Sequence, residues 1–518
     1  MQFGGIILKK QSLIKGTFIL GAAGIFARSI GMLFRIPLTI LVGDEGLGYY
    51  QIAYPLYMLF IAIASGVPLA MSKMISEKNA QGDEVGIFQV LKEALLLMIL
   101  LGAGTSLAML MFSHQLITIF RWDEKAYYSL IALSVAPFFI AIMSVYRGFF
   151  QGLQNMTPTA ISQILEQIAR VIIGIGLVIM LIPKGIEYAA GGATLGAAAG
   201  GILGGLYLYS KYRKVRKEFA IRKVNFNSDV MEKLLRIAIP ISLGAAVGTI
   251  MNVIDSVMVP QKLLQAGFDS RQAAILYGQL TGKAAVIVNV PLTLSAALCA
   301  SVVPIISEAY ILKDKVRLHR NITSAIKISM IIALPSLCGL YFLASPVLNL
   351  IFRGQAEGAL ILKYSSLSIP FIILAQATTV ILQATTSKKM PIINLLIGCI
   401  VKMIVTNILV PIPSINVYGA IIGTFAAYVT AVVLNMALLK RTLSVKFDLY
   451  QGLIKPAYAS IIMIVTVVFI YVKVYNYTMS NSISCLIAIL VGIIVYIILV
   501  LMFKVVDYNE LARRRSRR

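Results

Sequence analysis

Charge is scarce in this sequence. Of its 518 residues only 13% are Asp, Glu, Lys or Arg, against about a quarter in a soluble domain, while 59% are hydrophobic. So little charge excludes a water-soluble globular chain. Histidine is nearly absent, His114 and His319 being the only two, and neither makes a plausible catalytic cluster. No GxxxxGK[ST] loop and no HExxH helix occurs, so an enzyme, a cofactor and a metal are not expected. Four cysteines, Cys299, Cys338, Cys399 and Cys485, stand singly in apolar runs without CxxC spacing and read as small packing residues. Acids are outnumbered too, 21 against 46 basic residues, for a net charge of +25. That excess does not imply nucleic acid, because the cations sit in short loops between apolar stretches rather than on one solvated face.

What the chain has is long apolar segments. A helix needs roughly 20 apolar residues to cross a bilayer, and irregular backbone cannot face hydrocarbon with its polar groups unpaired. Runs bounded by charge or Gly/Pro clusters predict fourteen transmembrane helices, near 13–42, 48–76, 88–112, 127–147, 159–182, 188–211 and 232–260. The other seven fall near 276–307, 322–344, 358–386, 391–411, 417–439, 452–473 and 481–503. The expected fold is an all-α polytopic membrane protein.

With the amino terminus inside, the cytoplasmic segments carry Lys9, Lys10 and Lys15, the run from Lys211 through Arg213, Lys214, Arg216, Lys217 and Arg222 to Lys223, then Lys313, Lys315, Arg317 and Arg320. Lys388, Lys389, Lys440, Arg441 and the tail Arg513 to Arg518 follow. The opposite loops hold only scattered cations such as Arg121, Lys184, Lys262, Arg271 and Arg353. The positive-inside rule therefore puts both termini in the cytoplasm, where the basic tail is expected to meet anionic lipid headgroups. The lysines before the first apolar run look like a signal peptide, but the run continues through Arg28 and Arg35 with no small-residue cleavage site and reads as a retained helix.

A repeat gives the next level of organisation. Phe120-Arg121 recurs as Phe352-Arg353, Pro137-Phe138 as Pro370-Phe371 and Gln151 as Gln383, at an offset of about 232. Met156-Thr157-Pro158 is echoed by Met390-Pro391, Ile75-Ser76-Glu77 by Ile306-Ser307-Glu308 and, at an offset shortened by a loop deletion, Gly192 to Gly196 by Gly419 to Gly423. Similarity at a steady spacing indicates two copies of one unit. Six helices per copy is an even number, so both copies enter the membrane in one orientation, as in transporters that hold substrate between parallel halves. The expected organisation is a six-helix lobe over 1–211, a basic linker over 212–233, a second six-helix lobe over 234–439, two further helices over 440–503 and a basic tail over 504–518.

An ionisable side chain inside a span is costly and marks a candidate site. Arg28 and Arg35 are seven residues apart, close to two helical turns, so one face presents both guanidiniums as a clamp for a diphosphate-sized anion; the alternative is snorkelling or pairing with carboxylates such as Asp255. Lys283, on the eighth predicted helix, offers a third cation to a cavity between the halves, unless it snorkels. Glu166 and Arg170 are spaced i,i+4 with the acid first, the orientation of a helix ion pair, and serve either structure or coupling. Asp255 is a lone acid in an apolar run, fit for proton exchange or for permanent neutralisation of an arginine. Lys402 reads as structural or lipid-facing. Pro55, Pro68, Pro291 and Pro304 are expected to interrupt the second and eighth helices, and the glycines between 191 and 205 to permit close helix packing.

The segment Tyr146-Arg147-Gly148-Phe149-Phe150-Gln151-Gly152-Leu153-Gln154-Asn155-Met156-Thr157-Pro158, continuing through Ser162-Gln163 to Glu166-Gln167, resembles the signature of the stage V sporulation protein B group. That group is a branch of the multidrug/oligosaccharidyl-lipid/polysaccharide exporter superfamily. Ala27-Arg28-Ser29-Ile30-Gly31, Arg35, the stretch Gly43-Asp44-Glu45-Gly46-Leu47-Gly48-Tyr49 and Pro291-Leu292-Thr293 are similar as well. The resemblance covers nearly the whole chain. It implies a bacterial cytoplasmic-membrane flippase with two lobes around a cavity, moving an undecaprenyl-diphosphate-linked cell-wall precursor for peptidoglycan or spore cortex. It also implies that Arg28 and Arg35 match helix-1 arginines that meet the diphosphate, Arg35 with a one-residue shift. Lys283 stands about one turn before the related flippases' helix-8 arginine, and their helix-2 arginine has no counterpart between Tyr50 and Met71. Lipid-linked sugar is the expected substrate and cell-wall synthesis enzymes are expected partners. The alternatives are a drug or organic-cation antiporter of the same superfamily, an O-antigen-type oligosaccharide exporter, or a non-transporting membrane scaffold.

Overall fold

The computed structural model describes residues 13–219, 225–385, 389–443, 450–503 and 505. The cations Lys9, Lys10, Arg222, Lys223, Lys388 and Arg513 to Arg518 lie outside the described residues. Within them the chain is a succession of helices. These are α1 (Leu13–Leu33), α2 (Arg35–Ala64), α3 (Gly66–Ala80), α4 (Glu84–Met111) and α5 (Ser113–Phe120). Next come α6 (Ala126–Ser134), α7 (Ala136–Gly152), α8 (Thr157–Leu181), α9 (Ile186–Arg216) and α10 (Ser228–Gln265). α11 (Ser270–Gly278) runs through a π turn into α12 (Ala285–Ile311), followed by α13 (Lys315–Phe342), α14 (Ala344–Ile351) and α15 (Ala359–Ser366). The last are α16 (Ile369–Ala384), α17 (Met390–Leu409), α18 (Tyr418–Leu443), α19 (Lys455–Thr478) and α20 (Asn481–Met502).

This is an all-α, multi-pass membrane fold. Twelve described segments are long and apolar enough to cross a bilayer, thirteen if the pair α15 and α16, bent by 43°, is one span. The fourteen read from the sequence count Ile19–Ala80 twice, a stretch of 62 residues. No loop separates its two parts where the sequence suggested one, at 43–47. Gly43 makes the turn alone at φ 66° and ψ −172°, a conformation that needs glycine. Proline explains other breaks, because a missing N–H leaves the carbonyl four residues earlier unpaired. Pro37 follows the break at Phe34, Pro68 the one at Ser65, Pro137 the one at Val135 and Pro370 the one at Leu367–Ser368. Pro55, Pro291 and Pro304 instead lie inside α2 and α12, which continue through them. Of the four prolines expected to interrupt helices, only Pro68 coincides with a break, since a long helix in lipid tolerates one lost bond.

Local features recur along the chain. Asp83 caps α4 by accepting from the Gly86 N–H, and Asp314 caps α13 by accepting from the Arg317 N–H. Gly82 and Lys313, one residue before each cap, both have positive φ. The short helices α5 and α14 are followed by Arg121 at φ 50° and Arg353 at φ 49°.

Two compact units emerge, one comprising Met1–Gln261 with Asp269–Gly278, the other Lys262–Phe268 with Gln279–Arg518. In the first, Phe34, Leu38, Val42, Leu47, Tyr50, Val178, Ala189 and Ala193 form a buried apolar cluster. α9 lies directly on the backbone of α8, and a Cβ at Gly196 or Gly200 would stand 2.6 Å from the carbonyl oxygens of Arg170 and Glu166. In the second unit, Ile306, Ile322, Ile381, Leu382 and Leu439 belong to one core cluster, and α18 approaches α17 in the same manner, with Gly423 against Thr406 and Lys402.

Candidate functional site

In the first unit a tight turn folds α8 back along α7, with Gln154 at φ 59° and Pro158 in the first turn of α8. That return sets Arg147 of α7 beside α8. Its Nε donates to Ser162 Oγ at 2.9 Å and its Nη2 to Glu166 Oε2 at 2.9 Å. One turn further along α8, Arg170 donates from Nη2 to Glu166 Oε1 at 3.0 Å and from Nη1 to Tyr54 Oη on α2 at 3.1 Å. One carboxylate is thus shared by two guanidiniums.

Side-chain exposures are 17% for Arg147, 12% for Glu166 and 10% for Arg170. Among the described residues Glu166 is the one carboxylate within ion-pair distance of either arginine, so the trio retains a net positive charge. Tyr50, Tyr54 and Tyr57 of α2 border it, with ring centroids 5.7 Å and 5.5 Å apart.

Arg28 is exposed on α1 and Arg35 half-buried at the start of α2, with buried Phe34 at the break between them. Gly24, Arg28, Gly31 and Arg35 follow the four-three-four spacing of one helix face. That face meets α8, since a Cβ at Gly31 would stand 3.1 Å from Gln167 Oε1. Asp255 is half-buried on α10, and the next residue ties α10 to α2, Ser256 Oγ donating to the Ile52 carbonyl at 2.6 Å.

A second charged cluster surrounds Glu45, which is 8% exposed. It accepts from Tyr49 Oη at 3.0 Å and Arg271 Nε at 2.8 Å, with Lys125 Nζ at 3.6 Å. In the adjacent loop, burial pushes the Asp123 carboxyl above its ordinary range despite the Lys125 backbone N–H.

The second unit holds Lys283 in the π turn before α12. Its exposure is 0%, its Nζ lies 3.3 Å from the Gln355 carbonyl and 3.4 Å from that of Glu357, and the Phe352 ring centre is 5.6 Å away. Lys402 is 1% exposed, so it packs inward rather than facing lipid. Arg147 went unselected in the sequence although it lies within the quoted Tyr146-Arg147-Gly148 segment. An arginine inside a span was the available signal.

A family profile described as polysaccharide biosynthesis protein matches residues 13–310. The chain is 28% identical over 516 residues to stage V sporulation protein B of Bacillus subtilis (strain 168), covering 98% of each. It is 26% identical over 456 residues to the lipid II flippase MurJ of the same organism, covering 83% of each. Among solved structures it is similar to a lipid II flippase MurJ in an inward closed conformation, with TM-score 0.72, 21% identity, and 96% of this chain and 100% of that one covered.

Proposed function

Because the chain belongs to the polysaccharide biosynthesis protein family, we propose that it is a flippase moving an undecaprenyl-diphosphate-linked cell-wall precursor outward across the bacterial cytoplasmic membrane. In this reading the chain crosses the membrane fourteen times, Gly43 dividing two spans, and both termini are cytoplasmic. Two six-helix lobes alternate access to the substrate, and α19 and α20 stand outside the repeat.

One observation carries the lipid part of the proposal. In the second unit, α12, α13, α14, α19 and α20 line an open pocket of about 450 Å³ whose walls include Pro291, Leu294, Leu340, Met463 and Ile493 among other apolar side chains. Its size falls in the range of small-molecule sites, roughly 300 to 1,000 Å³, and its walls suit a polyprenyl chain. Arg28 and Arg35 supply the diphosphate contacts, as guanidiniums that match phosphate oxygens in pairs. Lys283 would need the segment around Gln355 and Glu357 to move before reaching a substrate. A drug or organic-cation antiporter needs an available acid, and Glu166 is held by two arginines.

The test is flipping by the purified chain in proteoliposomes, comparing lipid II with other lipid-linked glycans and an organic cation. Movement of a diphosphate-linked polyprenyl sugar supports the proposal. Cation transport without lipid movement overturns it.

A further inference from the structure

We infer that Arg147 and Arg170 are a second phosphate-binding pair, with Glu166 as the internal carboxylate that occupies them while the site is empty. The inference rests on the flippase reading and deepens it, adding a contact on α7 and α8 to those proposed on α1 and α2.

Charge balance points this way. A buried ion pair meant only to brace helices is best neutral, since each uncompensated charge removed from water is costly. Here two guanidiniums share one carboxylate, which leaves one positive charge without a counterion among the described residues. Arg170, 9% exposed, keeps a buried Nε with no hydrogen-bond partner, and so does the Tyr57 hydroxyl, fully buried nearby. Both are donors and would be satisfied by an anionic oxygen. The cluster is not fully sealed, because Arg147 at its edge retains 17% of its side-chain surface. Glu166 presents two oxygens to two guanidiniums at 2.9 Å and 3.0 Å, an arrangement that a phosphate could replace. The ligand chemistry is a phosphate monoester or diphosphate.

Two substitutions distinguish an anion site from a brace. Glu166→Gln removes the internal competitor, so the full-length chain in detergent should bind undecaprenyl diphosphate several-fold more tightly. Arg147→Lys keeps the charge but loses the fork and should weaken binding about tenfold. Inorganic pyrophosphate is a second probe. Competition with the lipid shows that the phosphate itself is recognised, and enhancement by Glu166→Gln in the lipid arm alone ties the site to a lipid-borne phosphate. A brace would instead lower thermal stability in both variants without changing affinity. If the parent binds diphosphate lipid and Arg28→Ala weakens it, but neither Glu166→Gln nor Arg147→Lys alters affinity, this inference is overturned and the flippase reading stands. If the parent binds no diphosphate lipid, the flippase reading itself fails. Should Glu166→Gln not fold, Arg147→Lys alone decides.

Discussion

Arg35 can present two parallel N–H donors to a phosphate, which a lysine at the same position cannot do. Arg35→Lys should therefore lose most transport although the charge is kept. Arg28→Ala and Arg35→Ala should fold and reach the membrane, with binding of lipid-linked diphosphate weakened by about 1.5 to 3 kcal/mol, tenfold or more. Normal expression with unchanged affinity would place the diphosphate elsewhere. Asp83 offers a residue-scale test of stability. It accepts from Lys78 Nζ at 2.7 Å and from the Gly86 N–H at 2.8 Å, and chiefly the Lys78 bond holds its carboxyl below the usual range. Such a group stabilises the fold fully above the unfolded aspartate value, about 3.9, and loses that contribution as pH falls through the lower folded value. Asp83→Asn should depress the thermal midpoint at neutral pH, and the gap from the parent should shrink as the pH falls below the unfolded value of about 3.9. A gap constant with pH would contradict this. Sequence spacing exposed the Glu166 and Arg170 contact because i,i+4 is local. It could not expose Arg147, whose partner lies 19 residues on and meets it only after the chain reverses at Gln154.

The α8 and α9 pair depends on small side chains where backbones touch. A Cβ at Gly200 would meet the Glu166 carbonyl at 2.6 Å, and that atom belongs to a helix backbone that cannot swing aside. Gly200→Ala should destabilise the protein by about 1 to 3 kcal/mol and displace Glu166, whereas Gly176→Ala, with open space around it, should be nearly silent. Thermal unfolding in detergent separates the two, and equal effects would refute the packing account. The apolar spans were legible because lipid leaves the backbone few choices, as was the glycine-rich approach of α9. Less legible was how helices are cut. A single glycine at position 43 replaced an expected loop, three prolines stayed inside helices, and a π turn over Gln279–Ala284 carries Lys283, whose burial depends on carbonyls of a segment some seventy residues away.

For the whole molecule, the proposed cytoplasmic placement of both termini rests on loop charge and on the proposed count of fourteen spans. A cysteine at Lys217 should be protected from an impermeant reagent in intact cells, while one at Arg353 should react; labelling of the first from outside would reverse the topology. The proposed duplication makes a further demand, that an experimental structure superpose residues near 13–211 on those near 232–439 by rotation about the membrane normal. An in-plane axis would remove the parallel-repeat argument. The central claim, that this chain carries a polyprenyl diphosphate sugar, is tested most directly by following one fluorescent lipid-linked glycan in proteoliposomes and measuring the fraction that reaches the opposite leaflet. The parent should move it, and Arg35→Ala, equally well inserted, should not. Movement at the same rate by the two proteins, or by neither, would contradict the account.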